Sequence, residues 1–282
     1  MIALSVENLC KNYPSFRLEN VSFSVGEGRV AGLIGANGAG KSTTMKGILG
    51  LVRPESGKVT LFGRDMREYE RECKEKIGYV AGGFSYYPQK KIRLIANTCA
   101  AFYRDWNQSS FCRYMRLFQL DENKKPAELS DGMRVKLFIA LALSHGARIL
   151  IMDEPTSGLD PLSREEFCDV LRELVKTEGV TVLFSTHITS DLMKIADDIV
   201  YISQGKILAA DELEALLGRY EIAYFTQKPP VNVGAVGVKA VKDGYEGLIA
   251  TGARIPCASR RSADLEALMI HLEYANKGEN AV

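Results

Sequence analysis

The glycine-rich run Gly35-Ala36-Asn37-Gly38-Ala39-Gly40 ends in Lys41-Ser42-Thr43, a basic residue followed by two hydroxyls. Residues of those types at that spacing suit a phosphate chain. Glycines let the loop curl until successive backbone N–H groups point into one concavity, and the unpaired N–H groups opening a following helix aim at the same place. Lys41 adds a full positive charge for the terminal phosphates, and the Ser42 hydroxyl can ligate an accompanying Mg²⁺. A second chemically capable pair lies far along the chain, where Asp153-Glu154 closes the apolar run Ile149-Leu150-Ile151-Met152. Two carboxylates at such a strand end are costly unless cations meet them. Beside the glycine loop, Asp153 suits holding Mg²⁺ through water, and Glu154 suits orienting or deprotonating an attacking water.

The elements that must position these residues are written around them. Val30-Ala31-Gly32-Leu33-Ile34 before the loop and Thr44-Met45-Lys46-Gly47-Ile48-Leu49 after it give the order strand, loop, helix, with Gly50 as a left-handed cap. Upstream, residues 1–34 read as strands, and Tyr13 stands in a loop between two of them. Residues from about Met66 to Lys76 suggest a surface helix, and Ile77-Gly78-Tyr79-Val80 a short strand. From about 90 to 128 the pattern is helical, with Phe111, Tyr114, Met115 and Phe118 on one face. Ser163 and Glu166 are spaced as a capping box opening the helix after Glu154, and Val180–Ser185 reads as a buried strand ending at Thr186-His187. Strands alternating with helices in this way predict an α/β fold with a mainly parallel sheet covered on both faces. Composition shifts after about Leu217. Pro229-Pro230, the alternating run Val231-Asn232-Val233 and a final helix with Leu265, Leu268, Met269 and Leu272 on one stripe, capped at Ser262, predict a small α+β appendage.

Composition narrows the function classes. With 282 residues, 46% hydrophobic and 25% charged, the chain has the make-up of a globular protein. A formal net charge of +1 provides no field to recruit nucleic acid, so no nucleic-acid partner is expected. The six cysteines are scattered without a C-x-x-C pair, which predicts packing roles rather than a metal site. No apolar run approaches the ~18–20 residues that span a bilayer, and the N-terminal Met1–Glu7 lacks the pattern of a signal peptide.

In its ordered motifs the chain resembles the ATP-binding cassette (ABC) ATPases over roughly residues 1–217. Gly35–Thr43 is similar to the Walker A loop of that family, and Ile149–Glu154 to the Walker B strand with its catalytic glutamate. Leu129-Ser130-Asp131-Gly132-Met133 resembles the signature, Ser157-Gly158-Leu159-Asp160 the D-loop, and His187 the switch histidine. Tyr13 stands where the family places an aromatic on adenine.

The resemblance implies a P-loop NTPase core with an N-terminal antiparallel β subdomain, a helical subdomain over about 84–145, and an accessory region over 218–282. It implies ATP and Mg²⁺ as ligands. Nucleotide contacts would come from Tyr13, Gly35, Asn37, Gly38, Gly40, Lys41, Ser42 and Thr43, metal contacts from Ser42 and Asp153, and catalysis from Glu154 and His187. Ser130, Gly132 and Asp160 would act across a head-to-tail dimer, either a homodimer or a pair with a second ABC ATPase. Ser130 and the Gly132 N–H, near a helix start, can offer donors to a γ-phosphate.

A separate transmembrane permease subunit would hold the protein at the inner face of the cell membrane, on the cytoplasmic side. The strings Phe102-Tyr103-Arg104-Asp105-Trp106-Asn107 and Ile188-Thr189-Ser190-Asp191 are similar to those of bacterial drug- and peptide-exporting members. The aromatic face of the helical segment is the candidate contact with the membrane subunit, or else internal packing. Two departures stand out. Asp131 replaces the usual glycine of the signature, tolerable if it pairs with a base such as Arg134. Where the family places a glutamine after Val80, this chain has Gly82 or Gly83, and Gln89 substitutes only if the loop carries an insertion. That second departure keeps one alternative in view: a soluble nucleotide-gated switch with little turnover.

Overall fold

A computed structural model describes residues 1–82 and 87–276. Its first strands, β1 (Ile2–Tyr13) and β2 (Phe16–Gly26), form a hairpin that largely alternates buried and exposed residues. β3 (Val30–Ile34) is buried at every position, as a central strand must be. α1 (Lys41–Ile48), β4 (Ser56–Leu61), β5 (Arg64–Asp65), α2 (Glu70–Glu75) and β6 (Ile77–Ala81) follow. The surface helix expected from Met66 is confined to α2, because the Asp65 carboxylate first takes the Arg67 N–H at 2.8 Å and turns the chain.

The single helical stretch expected from about 90 to 128 is broken into α3 (Ile92–Phe102) and α4 (Gln108–Leu117), followed by a 3₁₀ turn opened by Pro126. Asn107 makes the first break, accepting the Ser110 N–H at 2.9 Å as an N-cap. Gln119, with φ at +53°, makes the second. Next come α5 (Asp131–Ser144), β7 (Ile149–Asp153), α6 (Pro161–Glu178), β8 (Thr181–Thr186) and α7 (Thr189–Ile195). Asp160, not a box of Ser163 and Glu166, caps α6. Pro161 has no N–H to satisfy and fits the first helical position, so the helix starts earlier and Ser163 donates its hydroxyl to Asp160 at 2.6 Å.

β9 (Asp198–Ser203), β10 (Lys206–Glu212) and α8 (Leu213–Gly218) complete the larger part. Beyond them lie β11 (Tyr220–Phe225), β12 (Val236–Val241), β13 (Gly244–Ala250), β14 (Ser259–Ser262) and α9 (Leu265–Asn276). Val231–Val233 is a 3₁₀ turn after Pro230 rather than a strand. Ser262 belongs to β14, and Asp264 caps α9 by accepting the Ala267 N–H at 2.7 Å.

The central sheet has the order β10-β9-β3-β8-β7-β6, parallel except for β10. β3 therefore lies between β8 and β9, with β7 one strand further on. Residues of these strands alternate between two cores. Val30, Leu150, Met152, Val182 and Phe184 face the core built with α5 and α6, whereas Ala31, Leu33, Ile149, Ile151 and Leu183 face the one shared with α1 and the antiparallel sheet β2-β1-β4-β5. Burying each large apolar side chain contributes about 1.5–3 kcal/mol, which fixes strand register and, with it, the level at which every strand ends. Phe111, Tyr114, Met115 and Phe118 are all buried in the first core, so the aromatic face is internal packing and not a docking surface. The last four strands form a second antiparallel sheet, β12-β13-β11-β14, against which α9 packs. Leu265 and Leu268 share the first core with Leu192 and Tyr201, and Glu273 accepts hydrogen bonds from Tyr201 and Ser203 of β9 at 2.9 and 2.6 Å.

Candidate functional site

Strand order puts three chain segments at one edge of the central sheet: the glycine loop after β3, Asp153-Glu154 after β7, and His187 after β8. The loop is shaped by backbone that only glycine adopts easily, with φ of +79° at Gly38 and +117° at Gly40. Gly35 is required for a different reason. A Cβ there would lie 2.3 Å from the Ile202 carbonyl oxygen of β9. Lys41 is 5% exposed and folds back over the loop, donating to the carbonyls of Gly35 at 2.8 Å and Ala36 at 3.3 Å. Asn37, Ser42 and Thr43 line the same cleft.

Register brings the carboxylates to this loop. Asp153 pairs with Ser185 on one side and Ala81 on the other, and its Oδ1 lies 3.3 Å from the Ser42 hydroxyl. A hydroxyl and a carboxylate oxygen at that separation are hard donors of the kind Mg²⁺ takes, so the residues fit the ion the sequence implies. Glu154 follows the strand in a left-handed conformation, φ +50°, rare outside glycine. That turn sends its side chain back across the loop. One carboxylate oxygen meets Lys41 at 3.2 Å and the other meets Nδ1 of His187 at 2.9 Å. Glu154 thus meets the Lys41 ammonium and the His187 ring, whereas the Asp153 carboxylate is met by the Ser42 hydroxyl.

Above them opens a cleft of about 920 Å³, within reach of a nucleotide's size, bounded by Tyr13, Phe16, Asn37, Lys41, Glu154 and His187. Tyr13 sits at the tip of the β1–β2 hairpin, 40% exposed, with the Lys11 ammonium over its ring at 5.8 Å from the centroid. Lys46, which carried no site motif, also lines the cleft, as does Ser157, the first residue of the run likened to the D-loop.

Ser130, Gly132 and Asp160 are not on its wall. Ser130 caps α5, accepting the Met133 N–H at 3.3 Å, and Asp131 pairs with Arg134, the base the sequence offers three residues on. Asp160 is occupied with α6, and hydrogen bonds from Ser163 and Leu162 hold its carboxyl below the usual range. One chain therefore gathers the glycine loop, Asp153-Glu154 and His187 at one cleft, while Ser130, Gly132 and Asp160 stand at helix starts outside it.

Gln89 lies exposed on a turn, off the cleft wall. Gly83 lies outside the described residues. At Gly82 the N–H bonds the Asp153 carbonyl at 2.8 Å, and a Cβ would fall 1.9 Å from the Glu154 carbonyl oxygen. A side chain has no room there.

A second cavity, about 450 Å³ and largely apolar, runs between α3, α5 and β6. Leu51, Ile77, Tyr87, Cys99 and Tyr103 contribute to it. His145 stacks on Tyr103 at 3.9 Å in its wall, and burial pushes that imidazole down to about 4.

The ABC transporter family profile matches residues 18–157. Among curated proteins, the chain is 34% identical over 245 residues to the uncharacterized ABC transporter ATP-binding protein YxlF of Bacillus subtilis, covering 86% of this chain and 79% of that one. It is 35% identical to the lantibiotic transport ATP-binding protein SrtF of Streptococcus pyogenes, covering 75% and 91%. Among solved structures, an ATP-binding subunit of an ABC transporter superposes with a TM-score of 0.68 at 29% identity, covering 76% of this chain and 91% of the other.

Proposed function

Because the chain belongs to the ABC transporter family, as one of its ATP-binding proteins, we propose that it is the ATP-hydrolysing subunit of an exporter, working with a separate transmembrane permease. The observation that carries this is Glu154 held between Lys41 and His187 at the mouth of a nucleotide-sized cleft. Tyr13 stacks on the adenine, while the loop amides from Gly35 to Thr43 and the Lys41 ammonium take the phosphates. Ser42 and Asp153 would hold Mg²⁺, which when bound would neutralise phosphate charge. Glu154 orients a water and accepts its proton as the new P–O bond to the γ-phosphorus forms and the bond to ADP breaks. His187 fixes the Glu154 carboxylate and senses the γ-phosphate.

Ser130, Gly132 and Asp160, placed off the cleft, act on the nucleotide of a second copy or of a related ATPase. The apolar groove between α3, α5 and β6 receives the permease, in place of the aromatic stripe that proved internal. No helix among the described residues is long and apolar enough to cross a membrane, so the permease keeps the ATPase at the inner face of the membrane. The transport role named for the lantibiotic relative favours an exporter over a soluble switch.

Light scattering of a Glu154→Gln variant tests the arrangement. The mass is expected to double when Mg-ATP is added, because blocked hydrolysis traps the closed pair. A variant that binds ATP yet stays monomeric would sink the self-paired sandwich and point to a heterodimer.

A further inference from the structure

Ser185 is the penultimate residue of β8, between Phe184 and Thr186, and none of its surface is exposed. A buried hydroxyl has one proton to give and lone pairs to offer, and both kinds of contact here reach the candidate site. It donates to Asp153 Oδ1 at 2.6 Å and accepts the Glu154 N–H at 3.1 Å. The Ser185 carbonyl takes that same N–H at 3.1 Å. Ser42 shares the Asp153 Oδ1, so two hydroxyls grip one oxygen and Oδ2 has no hydrogen-bond partner among the described residues. The contact at Glu154 falls on a residue in left-handed backbone, a conformation that persists only where neighbours hold it.

We propose that Ser185 is a positioning residue for the metal: its single hydroxyl orients the Asp153 carboxylate toward Mg²⁺ and anchors the turn that presents Glu154. The inference rests on the reading that Asp153 faces Mg²⁺. Partners that orient a metal's ligands are typically worth about 10–100-fold in metal affinity.

The test follows fluorescence of mant-ATP bound to the full chain while MgCl₂ is titrated from an EDTA baseline. In Ser185→Ala the Mg²⁺ midpoint should rise about tenfold, with metal-free mant-ATP affinity within twofold of wild type. Val182→Ala, an apolar truncation in the same strand, should lower the melting temperature and leave the midpoint in place. Ser185→Cys, similar in size and a much weaker donor, serves where Ser185→Ala does not fold, and it too should raise the midpoint. A Ser185 variant with a wild-type midpoint overturns the proposal, as does a Val182→Ala shift of equal size. If wild-type binding ignores Mg²⁺ altogether, the metal reading of Asp153 falls first and takes this inference with it.

Discussion

The edge of the central sheet and the antiparallel sheet of residues 220–262 are built from the same materials, short apolar strands with helices against them, yet they hold their polar groups in opposite ways. At the central edge, parallel strands stop at one level and leave backbone amides, carboxylates and a buried lysine converging on open space. Glu154 even keeps a left-handed backbone there. In the second sheet, antiparallel neighbours pair the backbone, and the charged side chains pair beside it, as Arg260 does with Glu221 and Arg261 with Glu246. Histidine shows the contrast in one residue type. His187 is exposed and bonded to the Glu154 carboxylate, whereas His271 is fully buried, with Nδ1 at 2.7 Å from the Gly237 carbonyl. The difference is exposure more than pairing, since buried Nε2 of His271 has no hydrogen-bond partner among the described residues.

The sharpest way to break that division is Glu154→Gln. Removing a positioned base should slow phosphate release about 10²–10⁴-fold while nucleotide still binds. Turnover within a few-fold of wild type would show that the strand edge is not where water is activated. The reciprocal substitution is Leu268→Ala in α9, fully buried in the shared core. It should cost about 2–5 kcal/mol of stability, read from denaturant unfolding, and leave mant-ATP affinity within twofold. A comparable loss of affinity would mean that the two regions are not separable.

Tyr13→Ala comes next. Loss of a stacking platform should weaken ATP by about 1–3 kcal/mol and leave inhibition by tripolyphosphate unchanged, since that ligand has no base. Equal weakening of both would place Tyr13 on the phosphates instead. The smallest expected effect is on pH dependence. Burial lowers the His271 pKa below its ordinary value near 6.5, so the folded chain keeps the ring neutral while the unfolded chain takes a proton. The stability contributed by the neutral ring is complete above that value and is lost as pH falls toward the lowered folded pKa. Melting temperature against pH should therefore flatten over that window in His271→Phe, and a slope identical to wild type would show that the buried ring does not titrate on unfolding.

What was legible in the chain divides along similar lines. The glycine loop and Asp153-Glu154 declared themselves because their chemistry is local: a few consecutive residues between an apolar run and a helix fix the conformation. Caps were misplaced where two candidates stood within three residues. Asp160 with Pro161 outcompetes Ser163, and Asp264 outcompetes Ser262, through geometry at the first turn that spacing alone does not resolve. The stripe of Phe111, Tyr114, Met115 and Phe118 showed its periodicity but not which way it faced. Ser185 was invisible for a stricter reason. Its importance comes from lying opposite Asp153, a register set by packing of two strands whose facing residues are 32 positions apart.

Gly82 bears on how this sequence can change over time. Just past β6 its backbone runs against the Glu154 carbonyl, with 1.9 Å left for a Cβ. Any side chain there would push the Glu154 turn off its station, and accepting one requires the strand end and the turn after β7 to move together. Glycine is entrenched at this position for as long as Glu154 keeps its left-handed backbone.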